Sequence, residues 1–259
     1  MKTKIGVIGA GKWGSALAFA LSEKNDVVIS SRTPTNLPNF VSMEEILECE
    51  YLVISVPAQQ VSQWLEENFI FNNHKILVVS KGIEASSGKF LNEIFESYIP
   101  NENICFLSGP SFASEVLQSL PTALVENGSN SLLNDEFASF FPSFIKAYTS
   151  TDVIGAEIAG AYKNVIAIAA GISTGLGLGN NASAALISRG LVEMQRFGEV
   201  YGAKEESFVG LSGAGDLFLT ASSTMSRNFR VGLGLAKGKS QDEILQELGE
   251  VAEGIGTSY

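Results

Sequence analysis

Lys4-Ile5-Gly6-Val7-Ile8-Gly9-Ala10-Gly11-Lys12-Trp13-Gly14 is the stretch that decides the fold. An apolar run ends in Gly-x-Gly-x-x-Gly, and Ser15–Lys24 beyond it has helical patterning. A buried strand that turns through glycines into a helix is the setting of a dinucleotide fingerprint. Gly9 would allow the tight turn, Gly11 would let backbone approach a pyrophosphate, and Gly14 would let helix and strand pack closely. The helix N-terminus would then offer N–H groups and partial positive charge to phosphates. The alternative is a tight turn that holds no ligand. Working outward, Val27–Ser30, Leu52–Val56, Ile76–Ser80, Ile104–Leu107, Ala123–Glu126 and Ile145–Tyr148 are further strand candidates. Gln59–Asn68 and Lys89–Tyr98 read as intervening helices. The near-continuous Val, Ile and Leu content implies strands buried on both faces. The expected architecture is α/β: a Rossmann-like doubly wound parallel sheet with right-handed crossovers. After Thr149-Ser150-Thr151-Asp152 helical runs dominate: Val153–Ile172, Ala182–Tyr201, Leu217–Ser222 and Asp242–Leu248. The expected domains are therefore 1–150, binding a dinucleotide, and an all-helical 151–259.

Composition narrows the function. With 17 Lys+Arg against 28 Asp+Glu, the net charge of −11 argues against nucleic acid as a partner. The single histidine, His74, follows Asn72-Asn73 in a polar turn and is expected to be solvated. Histidine-centred catalysis and a histidine-rich zinc site are disfavoured, and no metal is expected. Cys49 and Cys105 lack metal spacing and read as reduced thiols of a cytoplasmic protein. No secretory signal is read at the start. Asn164 to Ser188 is free of charge, but Gly171, Gly175, Gly177 and Gly179 break it. That stretch is expected to be a buried helix, a bend and a second helix, not a membrane span.

Several motifs carry chemistry. The second strand ends Ser30-Ser31-Arg32-Thr33, without the carboxylate that NAD-selective sites place about 20 residues after the first glycine. Arg32 either holds a 2′-phosphate or stacks on an adenine. Ser55-Val56-Pro57-Ala58-Gln59 and Ser80-Lys81-Gly82-Ile83-Glu84 leave the carboxyl edge of the sheet. Lys81 is there either as a substrate-binding cation or as an ordinary exposed lysine. In Leu107-Ser108-Gly109-Pro110-Ser111-Phe112-Ala113-Ser114-Glu115, Gly-Pro enforces a turn and Ser111 is placed to cap a helix. Lys163 and Asn164 interrupt the apolar helix in Gly160-Ala161-Tyr162-Lys163-Asn164-Val165-Ile166. Lys163 either snorkels to solvent or is held for chemistry, since burial makes neutral amine accessible. In Gly210-Leu211-Ser212-Gly213-Ala214-Gly215-Asp216-Leu217, Asp216 either caps a helix or bonds an amine. Ser226-Arg227-Asn228 offers the donors that a phosphate needs.

In this order the motifs resemble the bacterial-type NAD(P)-dependent glycerol-3-phosphate dehydrogenases. The resemblance runs through GAGKWG, SVPAQ, SKGIE, GPSFASEV, GAYKNVIAIAAGI, GLSGAGDLFLT, SRN and EVAEG, nearly the whole chain. It implies that NADP or NAD is bound, with Lys12, Trp13, Arg32, Ala113, Val251 and Glu253 against it. Lys81 and Arg227 would touch both cofactor and substrate. Gly109, Ser111, Asp216, Ser226 and Asn228 would bind substrate, and Lys163 would accept the proton. The implied reaction is reversible reduction of dihydroxyacetone phosphate to sn-glycerol 3-phosphate, supplying phospholipid synthesis, in a cytoplasmic protein and possible homodimer. Two departures stand out: Arg32 to Glu44 is shorter than expected, and the family continues with more helices beyond Gly254–Tyr259. Two other readings use parts of the same pattern. A hydroxyacid or ketopantoate-type reductase would not need Ser226-Arg227-Asn228. A non-catalytic dinucleotide sensor would not need Lys163 and Asp216.

Overall fold

Runs of Val, Ile and Leu leave one solution for the first half of the chain: strands side by side with both faces covered. The computed structural model describes residues 2–37, 39–249 and 251–258. Glu250 of EVAEG and Tyr259, the last residue of the expected helical domain, lie outside the described residues. The described residues form nine strands: β1 (Lys4–Ile8), β2 (Asp26–Ser30), β3 (Tyr51–Ile54), β4 (Lys75–Val78), the hairpin β5 (Ile83–Glu84) and β6 (Lys89–Phe90), β7 (Ile104–Ser108), β8 (Thr122–Asn127) and β9 (Ile145–Ser150). Helices α1 (Lys12–Ser22), α2 (Met43–Ile46), α3 (Val61–Asn68), α4 (Leu91–Phe95), α5 (Ala113–Val116) and α6 (Ser131–Phe140) lie among them. The chain forms two compact units. The first is Met1–Val56, Gln60–Ser80 and Asn92–Val153; the second is Pro57–Gln59, Lys81–Leu91 and Ile154–Tyr259. The second unit thus takes two short segments from the first half of the chain.

In the first unit seven strands pair in the order β2-β1-β3-β4-β7-β8-β9. Leu17 and Leu21 of α1, Val116 of α5 and Phe137 of α6 pack on one face, against Val7, Val53, Leu77, Leu107 and Leu124. The alternate residues Leu52, Ile54, Ile76 and Val78 are buried on the other face. The sheet is parallel from β2 to β7, as expected. β8, however, runs antiparallel to β7, and β9 is parallel to β8. A right-handed return alongside a strand of about 17 Å needs about 11 helical residues. α5 has only 4 residues, so the chain turns back instead.

The expected helix over Lys89–Tyr98 is shorter, because Lys89 and Phe90 are taken by the β5–β6 hairpin. Gly88, at φ +68°, makes its turn. His74 is buried, not solvated. Its Nδ1 accepts the Asn72 N–H at 3.2 Å, so Nε2 carries the proton and donates to the Leu47 carbonyl at 2.9 Å. The turn is real, with Asn73 at φ +55°. Its apolar flanks, Phe69 and Phe71, lay their rings beside the imidazole.

The second unit is helical apart from its hairpin. It holds α7 (Val153–Gly175), α8 (Gly179–Val200), α9 (Glu205–Val209), α10 (Asp216–Ala221), α11 (Arg227–Ala236), α12 (Gln241–Leu248) and α13 (Glu253–Thr257). A π-helical turn, Leu211–Gly215, precedes α10. The charge-free stretch breaks between α7 and α8. By length and composition alone α7 could cross a membrane, but 67% of its most apolar window is buried inside the protein. Ile158, Ala159, Ile166 and Ala170 of α7 pack with Met194 of α8 and Phe208 of α9. Ser240 closes a full capping box at the start of α12.

Candidate functional site

In the first unit the glycine turn has the form that its sequence demands. Gly9 sits at φ +109°, and a Cβ there would lie 2.4 Å from the Ser55 carbonyl. A Cβ on Gly14 would lie 1.9 Å from the Gly9 carbonyl, so α1 can approach β1 only through glycine. Among the described residues no atom from elsewhere in the chain comes within 4 Å of the place where a Gly11 Cβ would stand, which leaves the cradle above the turn open. No side chain caps α1 at Gly11. An open cradle at an uncapped helix start fits a pyrophosphate. Lys12 is exposed beside it, and Trp13 packs partly onto the core. Arg32 is exposed just past β2. The Ser31 hydroxyl donates to the Thr33 carbonyl at 2.7 Å, which shapes the loop around Arg32. Gly109 is buried at φ +104° after β7. Ser111 does not cap α5. The N-cap position is Phe112, and the Ser111 hydroxyl donates to the Gly109 carbonyl at 3.3 Å. The helix starts one residue later than the Gly-Pro turn suggested, so Ser111 lies ahead of the capping position. Ala113 opens α5 against the core.

The second unit gathers the expected polar residues of three motifs. Lys163 lies on the buried face of α7, one turn after Gly160. The Lys81 stem runs along α7 at Gly160, where a Cβ would come within 3.3 Å of it. Asp216, at the start of α10, is buried and grips both lysines. Its Oδ1 accepts from Lys163 Nζ at 2.6 Å and its Oδ2 accepts from Lys81 Nζ at 2.6 Å. Asp216 is therefore an amine partner and not a helix cap.

Burial disfavours the Lys163 ammonium, and Lys81 and Arg227 push the same way; Asp216 opposes them, leaving the pKa at about 8. For Asp216 burial pushes the carboxyl up, but the two ammonium groups prevail and hold it below its ordinary value. Sequence reading missed Thr220. Its Oγ1 accepts from Lys163 Nζ at 3.2 Å and lies 3.3 Å from Asp216 Oδ1. The signal was its place four residues after Asp216, which puts both on one helix face.

Asn228 is tied to α7 and α13: its Nδ2 donates to Asn164 Oδ1 at 2.8 Å, and its Oδ1 accepts the Gly254 N–H at 3.0 Å. Ser226 is the N-cap of α11, its Oγ accepting the Phe229 N–H at 3.2 Å. Arg227 is exposed at the first turn of that helix. Glu253 takes the Ala58 N–H, and its Oε2 is buried without a hydrogen-bond partner among the described residues. Burial pushes its pKa up to about 7, against the Ala58 N–H and the Arg227 charge. Val251 is exposed. A groove of about 490 Å³ along α7 and α8, lined by Tyr162, Val165, Leu186 and Phe197, holds none of the site residues. Tyr162 packs its ring at a tilt against Phe197 there. Among the described residues no three His, Cys, Asp or Glu side chains are grouped to hold a metal ion.

A largely parallel sheet with a glycine-rich first turn, in a chain that also buries a lysine–aspartate–lysine group, defines the class of nicotinamide-nucleotide-dependent oxidoreductases. Family models for the N-terminus and C-terminus of NAD-dependent glycerol-3-phosphate dehydrogenase match residues 30–133 and 152–259. Glycerol-3-phosphate dehydrogenase (NAD(P)+) of Sulfurimonas denitrificans is 77% identical over 99% of this chain and 87% of its own length. That of Campylobacter jejuni is 63% identical over 99% and 86%. The crystal structure of glycerol-3-phosphate dehydrogenase from Coxiella burnetii superposes with a TM-score of 0.88 at 33% identity, over 99% of this chain and 87% of that one. This chain belongs to the NAD-dependent glycerol-3-phosphate dehydrogenase family.

Proposed function

We propose that the protein reduces dihydroxyacetone phosphate to sn-glycerol 3-phosphate and catalyses the reverse oxidation. The observation that carries this is the buried Lys163–Asp216–Lys81 group in a member of this family. When bound, the nicotinamide gives or takes the hydride at C2. Lys163 moves the matching proton. As ammonium it donates to the carbonyl oxygen during reduction; as amine it accepts from the C2 hydroxyl during oxidation. A pKa of about 8 makes both forms accessible near neutral pH. Asp216 fixes the direction of the Nζ, and Lys81 adds positive charge where substrate oxygen sits. Arg227 holds the phosphate, with Asn228, Gly109 and Ser111 completing the substrate contacts. Ser226 serves by capping the helix that carries Arg227.

Residues 1–150 hold the nucleotide: Gly9, Gly11 and Gly14 admit the pyrophosphate, with Lys12, Trp13, Arg32 and Ala113 around it. Residues 151–259 supply Lys163, Asp216 and Arg227, together with Val251 and Glu253 on the cofactor. The bare Glu253 Oε2 favours an N–H donor of the nucleotide as its partner. Arg32, with no carboxylate at the end of β2, favours acceptance of NADPH. The burial of α7 supports a protein without a membrane span; action in the cytoplasm and supply of phospholipid synthesis follow from the family reading alone. Assembly as a homodimer rests on the family resemblance alone, and light scattering would test it.

Oxidation of NADPH is the direct test, with dihydroxyacetone phosphate and an unphosphorylated 2-oxo acid compared side by side. Turnover of the first alone is expected. Preference for the acid would return the hydroxyacid reductase reading, and tight nucleotide binding without turnover of either would return the sensor.

A further inference from the structure

Asp216 can grip two lysines only if α10 starts at the right rotation, and the turn before it is not α-helical. The Gly215 N–H bonds the Gly210 carbonyl at 3.0 Å, and the Asp216 N–H is shared between the Gly213 and Leu211 carbonyls. The bonds to Gly210 and Leu211 span five residues where an α-helix spans four, so one extra residue is taken up just before the carboxylate. At 3.6 residues per turn, one residue more or less rotates the helix beyond it by about 100°. A rotation of that size would carry the Asp216 carboxylate off both amines.

The wide turn is held from one side. Gly213 is buried, and a Cβ there would stand 2.2 Å from the Phe208 carbonyl oxygen and 2.4 Å from its Cα. These are backbone atoms, so no side-chain movement relieves the clash. The Phe208 ring is in turn fully buried against α8, where a Cβ on Gly198 would come within 2.1 Å of the ring. A chain of backbone-close contacts therefore runs from Gly198 through Phe208 and Gly213 to Asp216.

We propose that the Leu211–Gly215 π turn, seated by Gly213 on the Phe208 backbone, is the positioning element that sets the rotation of Asp216 toward Lys163 and Lys81. This rests on the reading of Lys163 and Asp216 as the acid–base pair. Gly213 and the extra residue touch no reacting atom and act only through Asp216. Once Asp216 turns away, burial and the charges of Lys81 and Arg227 act on Lys163 unopposed.

The test deletes Ala214, a half-buried position of the turn, alongside Gly213→Ala and Ala214→Ser. For each variant the pH profile of kcat for glycerol 3-phosphate oxidation, KM, and thermal midpoint are measured. The deletion is expected to lower kcat at least ~100-fold and move the acid limb to lower pH, as Asp216→Asn would. Gly213→Ala moves the limb the same way by less, and Ala214→Ser keeps the parent profile because the residue count is unchanged. A merely structural turn would lower the midpoint and leave the limb in place. A folded deletion variant with the parent limb and kcat within tenfold overturns the proposal, as does failure of both perturbed variants to fold. An active Lys163→Ala enzyme would instead overturn the acid–base reading beneath it.

Discussion

Asp216→Asn keeps the shape of the side chain and removes its charge. The parent carboxylate carries an ammonium on each oxygen at 2.6 Å. Asparagine leaves one acceptor and turns an NH2 donor toward the other ammonium. Removing one partner of a buried ion pair costs about 3–5 kcal/mol. Lys163 escapes much of that by losing its proton: the contributions that raise its pKa vanish, while burial, Lys81 and Arg227 still lower it. Its pKa should fall from about 8 by about 1–3 pH units. Oxidation of glycerol 3-phosphate needs the neutral amine, so its kcat rises with pH through the Lys163 pKa in the parent. In Asp216→Asn that limb should sit at lower pH. Reduction needs the ammonium, so its kcat should begin to fall at lower pH. Initial rates in both directions from pH 5 to 10 (about five units, spanning both limbs) would read the two limbs, with thermal melting as control. An unmoved limb near 8, in a variant that melts like the parent, would refute the electrostatic argument.

Arg227→Ala should remove about 1.5–3 kcal/mol of phosphate binding, about ten- to a hundred-fold in kcat/KM, and Arg227→Lys should restore only part because the planar fork is lost. Steady-state kinetics with dihydroxyacetone phosphate would show it. Arg32→Ala should raise KM for NADPH more than for NADH; a parent enzyme strongly preferring NADH would contradict the role given to Arg32. Glu126 in β8 is fully buried, with both carboxylate oxygens lacking hydrogen-bond partners among the described residues, and burial pushes its pKa well above the ordinary value. Its folded state therefore holds a proton that the unfolded chain releases, so stability should decline as pH rises above about 4.5, by up to about 1.4 kcal/mol per pH unit. Glu126→Leu should raise the melting temperature at neutral pH and flatten that decline; a lower melting temperature would show that the carboxyl has a partner.

The strand runs and the glycine turn were legible because burial on both faces writes an uninterrupted apolar code, and because Gly9 and Gly14 have no substitute at their contacts. The reversal at β8 was not. Direction is set by the length of the connection, and the segment 109–121 carries no periodic signal that bounds α5. His74 was misread since turn chemistry is local, whereas its burial comes from rings of Phe69 and Phe71 closing over it. Lys163 and Asp216 stood out in sequence as charges in apolar surroundings, and Asp216 was open as a partner for an amine, but that one carboxylate would hold Lys163 and Lys81 together was not legible. Thr220 carried only its spacing of four from Asp216, a signal that gains meaning once α10 begins at Asp216 and sets both on one face. Asn164 looked like a second interruption of α7, and only the fold shows it bonded to Asn228 and so tied toward Gly254.

The central claim is that Lys163 moves the proton. Its removal leaves Asp216 paired with Lys81, so Lys163→Ala should fold and bind nucleotide. The decisive measurement is kcat of Lys163→Ala for dihydroxyacetone phosphate reduction, with NADPH affinity taken by fluorescence on the same sample. The expected result is a loss of about 10²–10⁴-fold in kcat at nearly unchanged NADPH affinity. A kcat within tenfold of the parent would contradict the account and move the search for the acid to another group.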